Sequence, residues 1–173
     1  EPVIEDAKKV KPYTKITWYP DYERFEMDGG APFLHNIIRK RVYDIAGVTD
    51  EGTKVYFNDE LIKVKNFESY AKLYLGEETT KACVSGPGWD IIATASEDDV
   101  FQHVSFVNGI YTSRGGTHVE YIATQIKNAL VTYFKKKRKM AIKPQIAKNQ
   151  LKIFVNAYKI VNPVFDSQTK ETL

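Results

Sequence analysis

The sequence has few of the residues that disulfide bonds and metal sites require. Its 173 residues include one cysteine, Cys83, and three histidines. A single cysteine cannot form an internal disulfide, which indicates a reducing compartment, and the scattered histidines do not form a metal-ligand pattern. We therefore expect neither a disulfide framework nor a bound metal in this chain.

The chain also lacks long hydrophobic runs and a strong excess of charge. No segment approaches the roughly 18 consecutive apolar residues of a membrane span, and the acidic, proline-containing start does not resemble a signal peptide. The 25 basic and 22 acidic residues give a net charge of +3. Any affinity for nucleic acid must therefore come from local clustering of cations.

The sequence does contain enough apolar material for one core. Hydrophobic residues make up 43% of it, and 173 residues suit one large domain better than two. We expect a single domain over residues 1–173. Because there is no initiator Met and the chain stops where a helix is predicted to start, we also expect a fragment of a longer protein.

The sequence of the first half of the chain predicts short strands, helices and a hairpin. Residues 16–20 predict a short strand, residues 33–45 a helix, and residues 55–64 a hairpin around Asn58-Asp59. Further predictions are a short helix over residues 67–75, two strands flanking Gly86-Pro87-Gly88, and one strand over residues 100–111.

In the predicted helix of residues 33–45, apolar residues recur at steps of three and four. This spacing predicts one buried stripe, places Arg39, Lys40 and Arg41 mostly outward, and leaves Gly47 to end the helix. The three cations form either a solvated face or a second basic surface. The apolar positions are Leu34, Ile37, Ile38, Val42 and Ile45.

The second half predicts a strand, a helix and a strand. Gly115-Gly116 breaks the first strand, and Thr117 stands three residues before Glu120, the spacing of a capping box at a helix start. Pro144 marks the end of the next loop, and residues 151–161 predict the second strand. The crossover is long enough for parallel pairing. The apolar helix positions are Val119, Ile122, Ile126, Ala129, Leu130 and Tyr133.

One dense run of cations follows this helix, at residues 135–139. One interpretation is a solvated helix end, where the dipole favours each cation by roughly 0.3 to 1 kcal/mol. The other is a projecting loop that contacts nucleic-acid phosphates without reading bases. The pattern alone leaves both open. The run consists of Lys135, Lys136, Lys137, Arg138 and Lys139.

Other polar residues favour structural roles. Gly115-Gly116 lacks the rest of a phosphate-loop motif and predicts a tight turn. His118 is favoured as a hydrogen-bonded structural residue over a phosphate donor. Asn108 is predicted inside an apolar strand, where it needs partners if buried. Tyr43 and Tyr111 are predicted core aromatics with one polar group each.

Four motifs occur along the chain in the order of a known family. They are KRVYDIAG at residues 40–47, VSFVN at 104–108, RGGTHV at 114–119 and QTK at 168–170. With them the chain resembles the transducer domain of eukaryotic-type type IIA DNA topoisomerases from about Lys15 onward. The resemblance implies an α+β fold like ribosomal protein S5 domain 2, with a mixed sheet packed against helices. Its βαβ crossover would be left-handed, against the usual right-handed preference.

The resemblance also implies residue roles. Gln168 and Lys170 would contact the γ-phosphate of ATP bound in a neighbouring GHKL-type ATPase domain. A lysine supplies the compact charge that suits a terminal phosphate. Residues 1–14 would be a linker, and residues 166–173 would hold this loop and the start of a helix capped by Asp166 or Ser167. The DNA contacts would come from Lys135, Lys136 and Lys137, followed by Arg138 and Lys139.

The whole enzyme implied by the resemblance is an ATP-hydrolysing DNA topoisomerase. It would be a nuclear homodimer, or a protein of the host cytoplasm or nucleus if encoded by a large DNA virus. ATP and Mg²⁺ would be its cofactors, and double-stranded DNA and a TOPRIM/cleavage core its partners. This fragment would not be catalytic alone. The alternatives are a free-standing S5-like nucleic-acid-binding domain and the middle domain of another GHKL ATPase.

Overall fold

The computed structural model describes residues 3, 11–27, 32–76 and 78–173. The chain divides into two compact units, residues 1–36 and 37–173. In the first unit the strand predicted over residues 16–20 is wrong, because these residues pair with no strand in the described part of the chain. The single-domain boundary and the linker over residues 1–14 stay predictions. Within the described ranges, no helix is both long and apolar enough to cross a membrane.

Four helices and seven strands form the regular structure of the described residues. The helices are α1 (Pro32–Val48), α2 (Phe67–Ala71), α3 (Thr117–Tyr133), which continues into a π-helical turn (Phe134–Arg138), and α4 (Pro144–Asn149). The strands are β1 (Tyr56–Phe57), β2 (Glu60–Leu61), β3 (Lys81–Gly86), β4 (Trp89–Ala95), β5 (Gln102–Val107), β6 (Ile110–Tyr111) and β7 (Leu151–Ala157).

A five-stranded mixed sheet in the order β3-β4-β7-β5-β6 carries the fold. Strands β5 and β7 pair in parallel, and the other neighbours are antiparallel. This confirms the predicted strand, helix and strand unit, with α3 and α4 in the crossover. The hand of the crossover stays a prediction.

Helices cover both faces of this sheet. On one face Phe106 and Phe154 pack with Phe67 and Tyr70 of the α2 helix. On the other, Ile153 and its neighbours pack against the apolar side of α3. The central strand β7 is therefore buried on both faces, as its run of apolar residues requires. The mixed α/β fold agrees with the predicted α+β class.

Two tight hairpins involve asparagine at positive φ. Asn58 and Asp59 have φ of 49° and 65°, which confirms the hairpin predicted there. Asn108 and Gly109 have φ of 49° and 78°, so the single strand predicted over residues 100–111 is wrong. Asn108 is a turn residue whose amide exchanges hydrogen bonds of 2.9 and 3.0 Å with the backbone of Ile160.

The predicted buried stripe of α1 is wrong. Ile37 is 55% exposed, whereas Asp44 is 2% exposed and accepts hydrogen bonds from Lys40 Nζ at 2.8 Å and the Tyr70 hydroxyl at 2.7 Å. Burial and hydrogen bonds raise the pKa of Tyr70, which therefore stays a neutral donor. The hydrogen bonds of Asp44, rather than an apolar stripe, therefore determine which face of α1 is buried.

The neighbouring residues of α1 hold the helix in place. Arg41 donates to the Gly109 carbonyl oxygen at 2.8 Å, so it does not belong to an outward basic surface. Gly47 does not end the helix, which continues to Val48. A Cβ on Gly47 would lie 2.6 Å from the Tyr70 ring, so this glycine permits close packing of α1 on α2.

The crossover contains one helix that the sequence pattern does not predict. The loop ends at Pro144 as predicted, and Pro144 also begins α4, because its fixed φ suits the first helical position. On α3, Val119 and Ile122 are buried as predicted, but Ala129 and Tyr133 are exposed. Strand β7 ends at Ala157, four residues before the predicted end.

Candidate functional site

The predicted phosphate-contacting residues, Gln168 and Lys170, lie in a closed turn. The Lys170 amide donates to the Ser167 carbonyl oxygen at 3.1 Å, and the Asp166 amide donates to the Thr172 carbonyl oxygen at 3.1 Å. Lys170 has a φ of 58°, in the left-handed region that few lysines occupy. This turn stands where a helix start is predicted, so neither Asp166 nor Ser167 caps a helix.

The Lys170 loop, residues 166–170, presents its amine without a counter-ion. Gln168 is exposed, and Lys170 Nζ lies 5.5 Å from the centre of the Phe165 ring. No carboxylate among the described residues lies within ion-pair distance of that amine. The loop thus holds a positive charge that an anion outside the described residues can approach.

Backbone hydrogen bonds fasten the residues after this loop to the start of α3. The Leu173 amide donates to the Gly115 carbonyl oxygen at 3.1 Å, and the Thr117 amide donates to the Leu173 carbonyl oxygen at 3.0 Å. Gly115 and Thr172 form a parallel β-bridge. The position of the Lys170 loop is therefore tied to the first turn of α3.

Gly116 makes this attachment possible. Its φ is 130°, and a Cβ on it would lie 2.3 Å from the Leu173 carbonyl oxygen. The predicted capping box is wrong, because Gly116 itself is the N-cap and no side chain caps the helix. Glu120 instead binds Lys148 Nζ at 2.7 Å. The paired glycines are the sequence signal of a close backbone approach, whereas the local pattern predicts only a tight turn.

A buried hydrogen-bond chain lies beneath the start of α3. The Thr112 hydroxyl lies 3.1 Å from His118 Nε2 and 2.7 Å from the Ser105 hydroxyl. Burial, with a smaller contribution from His103, lowers the pKa of His118 to about 4. His118 is therefore neutral at pH 7 and offers no positive charge to a phosphate. Its geometry favours the structural interpretation, although Nδ1 has no hydrogen-bond partner among the described residues.

The cation run lies at the other end of α3. It occupies the π-helical turn and Lys139, whose φ of 57° ends the helix. We call residues 135–139 the basic helix end. All five side chains are exposed, and none forms an ion pair with a described residue. Because α3 has 17 residues that rise 1.5 Å each, this end lies about 25 Å from the Lys170 loop attachment.

The described residues do not supply a metal site. They include no group of three His, Cys, Asp or Glu side chains that could hold an ion. The resemblance places Mg²⁺ in the full-length enzyme, and no chemical step through a metal is assigned to these residues.

Comparison with known proteins decides the family. The model of the family described as DNA gyrase B matches residues 54–173. The chain belongs to the DNA gyrase B family. DNA topoisomerase 2 of Arabidopsis thaliana is 42% identical over the whole chain, which spans 12% of that relative. Most of such a relative therefore lies outside the residues compared.

Two solved structures share the fold of this family member. The ATPase region of Saccharomyces cerevisiae topoisomerase II matches with a TM-score of 0.80 and 38% identity, over 89% of this chain and 39% of that one. The ATPase and transducer domains of DNA topoisomerase II from Balamuthia mandrillaris match with a TM-score of 0.74 and 36% identity, over 84% of this chain and 36% of that one. The chain is thus similar to part of each of these regions.

Proposed function

We propose that this chain is the transducer domain of an ATP-dependent type II DNA topoisomerase. The observation that carries the proposal is the attachment of the Lys170 loop to one end of α3, while the other end carries five exposed cations. The similarity to topoisomerase II ATPase-region structures supports it. The full protein would contain a GHKL-type ATPase domain and a TOPRIM/cleavage core and would work as a nuclear homodimer.

The Lys170 loop would report whether the γ-phosphate is present. ATP with Mg²⁺, held by the ATPase domain, would supply the terminal phosphate, and Lys170 and Gln168 would contact it. A ligand shifts a conformational equilibrium only through a difference in affinity between two states. Lys170 provides that difference, because its uncompensated charge is stabilised only while the anion is within reach. Movement of the loop would pass to α3 through Leu173 and Gly115.

The basic helix end would contact double-stranded DNA. Five adjacent cations can bind the phosphate backbone without reading the sequence, and such binding weakens as salt rises. Because these cations share one helix with the loop attachment, a displacement of α3 would change their position. The proposed role is therefore a mechanical relay between nucleotide state and DNA.

The test is ATP-dependent DNA relaxation by the full-length protein carrying Lys170→Ala. We expect a loss of at least about a hundredfold, the size seen when one preorganised charge contact to a reacting group is removed. Lys159→Ala is the control, because Lys159 likewise has a positive φ, of 61°, and lies beside an aromatic ring, although it is more exposed than the half-buried Lys170. Equal relaxation by wild type and Lys170→Ala would reject the relay and favour a free-standing nucleic-acid-binding domain.

A further inference from the structure

A cleft on the opposite side of the sheet from α3 has no role in the proposed relay. Its volume is about 610 Å³, within the range of about 300 to 1,000 Å³ of small-molecule sites. The end of α1 and the start of α2 form its walls, and strands β3, β4 and β7 form its floor. Val48, Phe67 and Ile92 supply apolar surface there.

Three polar side chains form a row across this floor. Ser85 on β3 pairs with Asp90 on β4, and Asp90 pairs with Asn156 on β7. Directly paired residues in antiparallel strands project from the same face of a sheet. The row therefore presents a hydroxyl, a carboxylate and an amide to the same space.

Asn156 has a buried acceptor that lacks a donor. The residue is 4% exposed, and its Nδ2 donates to Asp90 Oδ2 at 3.3 Å. That bond fixes the amide orientation, since a carboxylate only accepts. Asn156 Oδ1 has no hydrogen-bond partner among the described residues. Buried polar atoms are almost always paired, so this oxygen offers an acceptor for a donor that enters the cleft.

The charge around the cleft favours a cation. Four carboxylates line it, those of Asp50, Glu51, Glu68 and Asp90, against one lysine, Lys159. Glu68 also lies 3.5 Å from Lys81 Nζ, which is not part of the lining. An amide oxygen and a carboxylate both accept hydrogen bonds, and a ligand that bears several N–H donors can bond to both at once. The guanidinium group has five such donors in a rigid fork and carries a full positive charge.

We propose that this cleft binds the guanidinium group of an organic cation. One N–H would donate to Asn156 Oδ1, the others would donate to the Asp90 carboxylate, and the apolar part of the ligand would lie against Phe67 and Val48. The inference does not depend on the relay, because it involves neither the Lys170 loop nor the basic helix end.

Calorimetric titration of the full-length protein tests this site with matched probes. Butylguanidine is the probe, and butylurea is its neutral counterpart of the same shape. We expect butylguanidine to bind at least about tenfold more tightly, because a charge-assisted bond replaces a neutral one. Equal binding of both compounds, or no binding of either, would overturn the proposal.

A comparison of butylguanidine with acetylarginine methylamide distinguishes the two possible sources of the guanidinium group. Binding of butylguanidine alone assigns the cleft to a free small molecule, whereas binding of acetylarginine methylamide as well allows an arginine side chain of another protein. Both results support guanidinium recognition and differ only in its origin.

Two substitutions locate the binding in this cleft. Asp90→Asn keeps the shape of the side chain and removes its charge, and we expect it to weaken butylguanidine about tenfold while leaving the unfolding midpoint nearly unchanged. Glu97→Gln removes a charge from an exposed residue outside the cleft lining and is the control. Asn156→Leu should weaken binding further. Unchanged affinity in a folded Asp90→Asn protein would place the probe elsewhere and overturn the assignment.

Discussion

The two ends of α3 are built in opposite ways. At its start, a glycine with no space for a side chain, two backbone hydrogen bonds to Leu173 and a buried hydroxyl–imidazole chain fix the geometry. At its finish, five cations extend into solvent without an ion-pair partner among the described residues.

This difference separates positioning from contact. The start of the helix depends on close packing, so small changes there should affect stability and the placement of the Lys170 loop together. The basic helix end depends on charge, so changes there should alter affinity for a polyanion and leave folding nearly intact. Substitutions at either end of α3 test this contrast.

The largest effect is expected from Gly116→Ala. The new Cβ would lie 2.3 Å from the Leu173 carbonyl oxygen, at a φ of 130° that alanine disfavours. Backbone strain and overpacking together should lower the free energy of unfolding by about 4 kcal/mol. Urea denaturation measures it. Gly52→Ala is the control, since nothing lies within 4 Å of its added Cβ. A loss of unfolding free energy as small as that of Gly52→Ala would show that Leu173 does not pack closely against Gly116.

The buried His118 at the start of α3 should also make the stability of the fold depend on pH. The pKa of His118 is about 4 in the folded chain and 6.5 in the unfolded chain, so the unfolded state binds more protons between these values. The contribution of His118 to stability is fully present above pH 6.5, and about 3 kcal/mol of it is lost as the pH drops to 4.

Urea unfolding of wild type and His118→Gln at pH 7 and pH 4 isolates this contribution. The wild type should lose more stability on acidification than the variant. His103, whose pKa burial also lowers, is present in both proteins, so its own titration contributes to both losses. Parallel losses in wild type and His118→Gln would contradict the buried neutral imidazole.

The basic helix end should affect DNA binding through charge alone. Replacing Lys135, Lys136 and Lys137 by alanine should weaken duplex binding by the full-length protein and reduce the slope of log affinity against log salt by about 3. The stability change should stay within about 0.5 kcal/mol. Alanine at Lys54, Lys63 and Lys65 is the matched control, because these lysines are also exposed. An unchanged slope in the first variant would exclude phosphate contact.

The smallest effect is expected from Thr117→Ala. Loss of a true N-cap side chain costs about 1 kcal/mol, but Thr117 is the first helical residue and makes no cap bond. We expect a change below about 0.5 kcal/mol by thermal or urea unfolding. A loss of about 1 kcal/mol would show that the Thr117 side chain caps the helix, in contradiction to the structure.

Much of the architecture was predictable because local patterns determine it. The parallel unit of β5, α3 and β7 follows from β-branched runs separated by a long amphipathic helix. The turn at Asn58-Asp59 follows from residues that tolerate positive φ. The same rule, applied to Asn108-Gly109, would have separated β5 from β6, and the apolar residues around it concealed the signal.

Local sequence patterns predict the wrong contact where a distant residue replaces a local partner. Thr117 has the spacing of a capping residue, but Leu173, 56 positions later, occupies the start of the helix. Asp44 is buried because Tyr70 and Lys40 share its carboxylate, which the helical periodicity of α1 does not reveal. The roles of Gln168, Lys170 and the basic helix end stay predictions of the resemblance. The structure defines where these residues lie.

ATP hydrolysis by the full-length protein, measured with and without DNA, tests the relay most directly. Lys170→Ala should lose turnover under both conditions, because the γ-phosphate contact is absent. The triple alanine variant at Lys135, Lys136 and Lys137 should keep its turnover without DNA and lose the stimulation by DNA. ATP hydrolysis at the wild-type rate in Lys170→Ala, with the protein folded and nucleotide bound, would contradict the account.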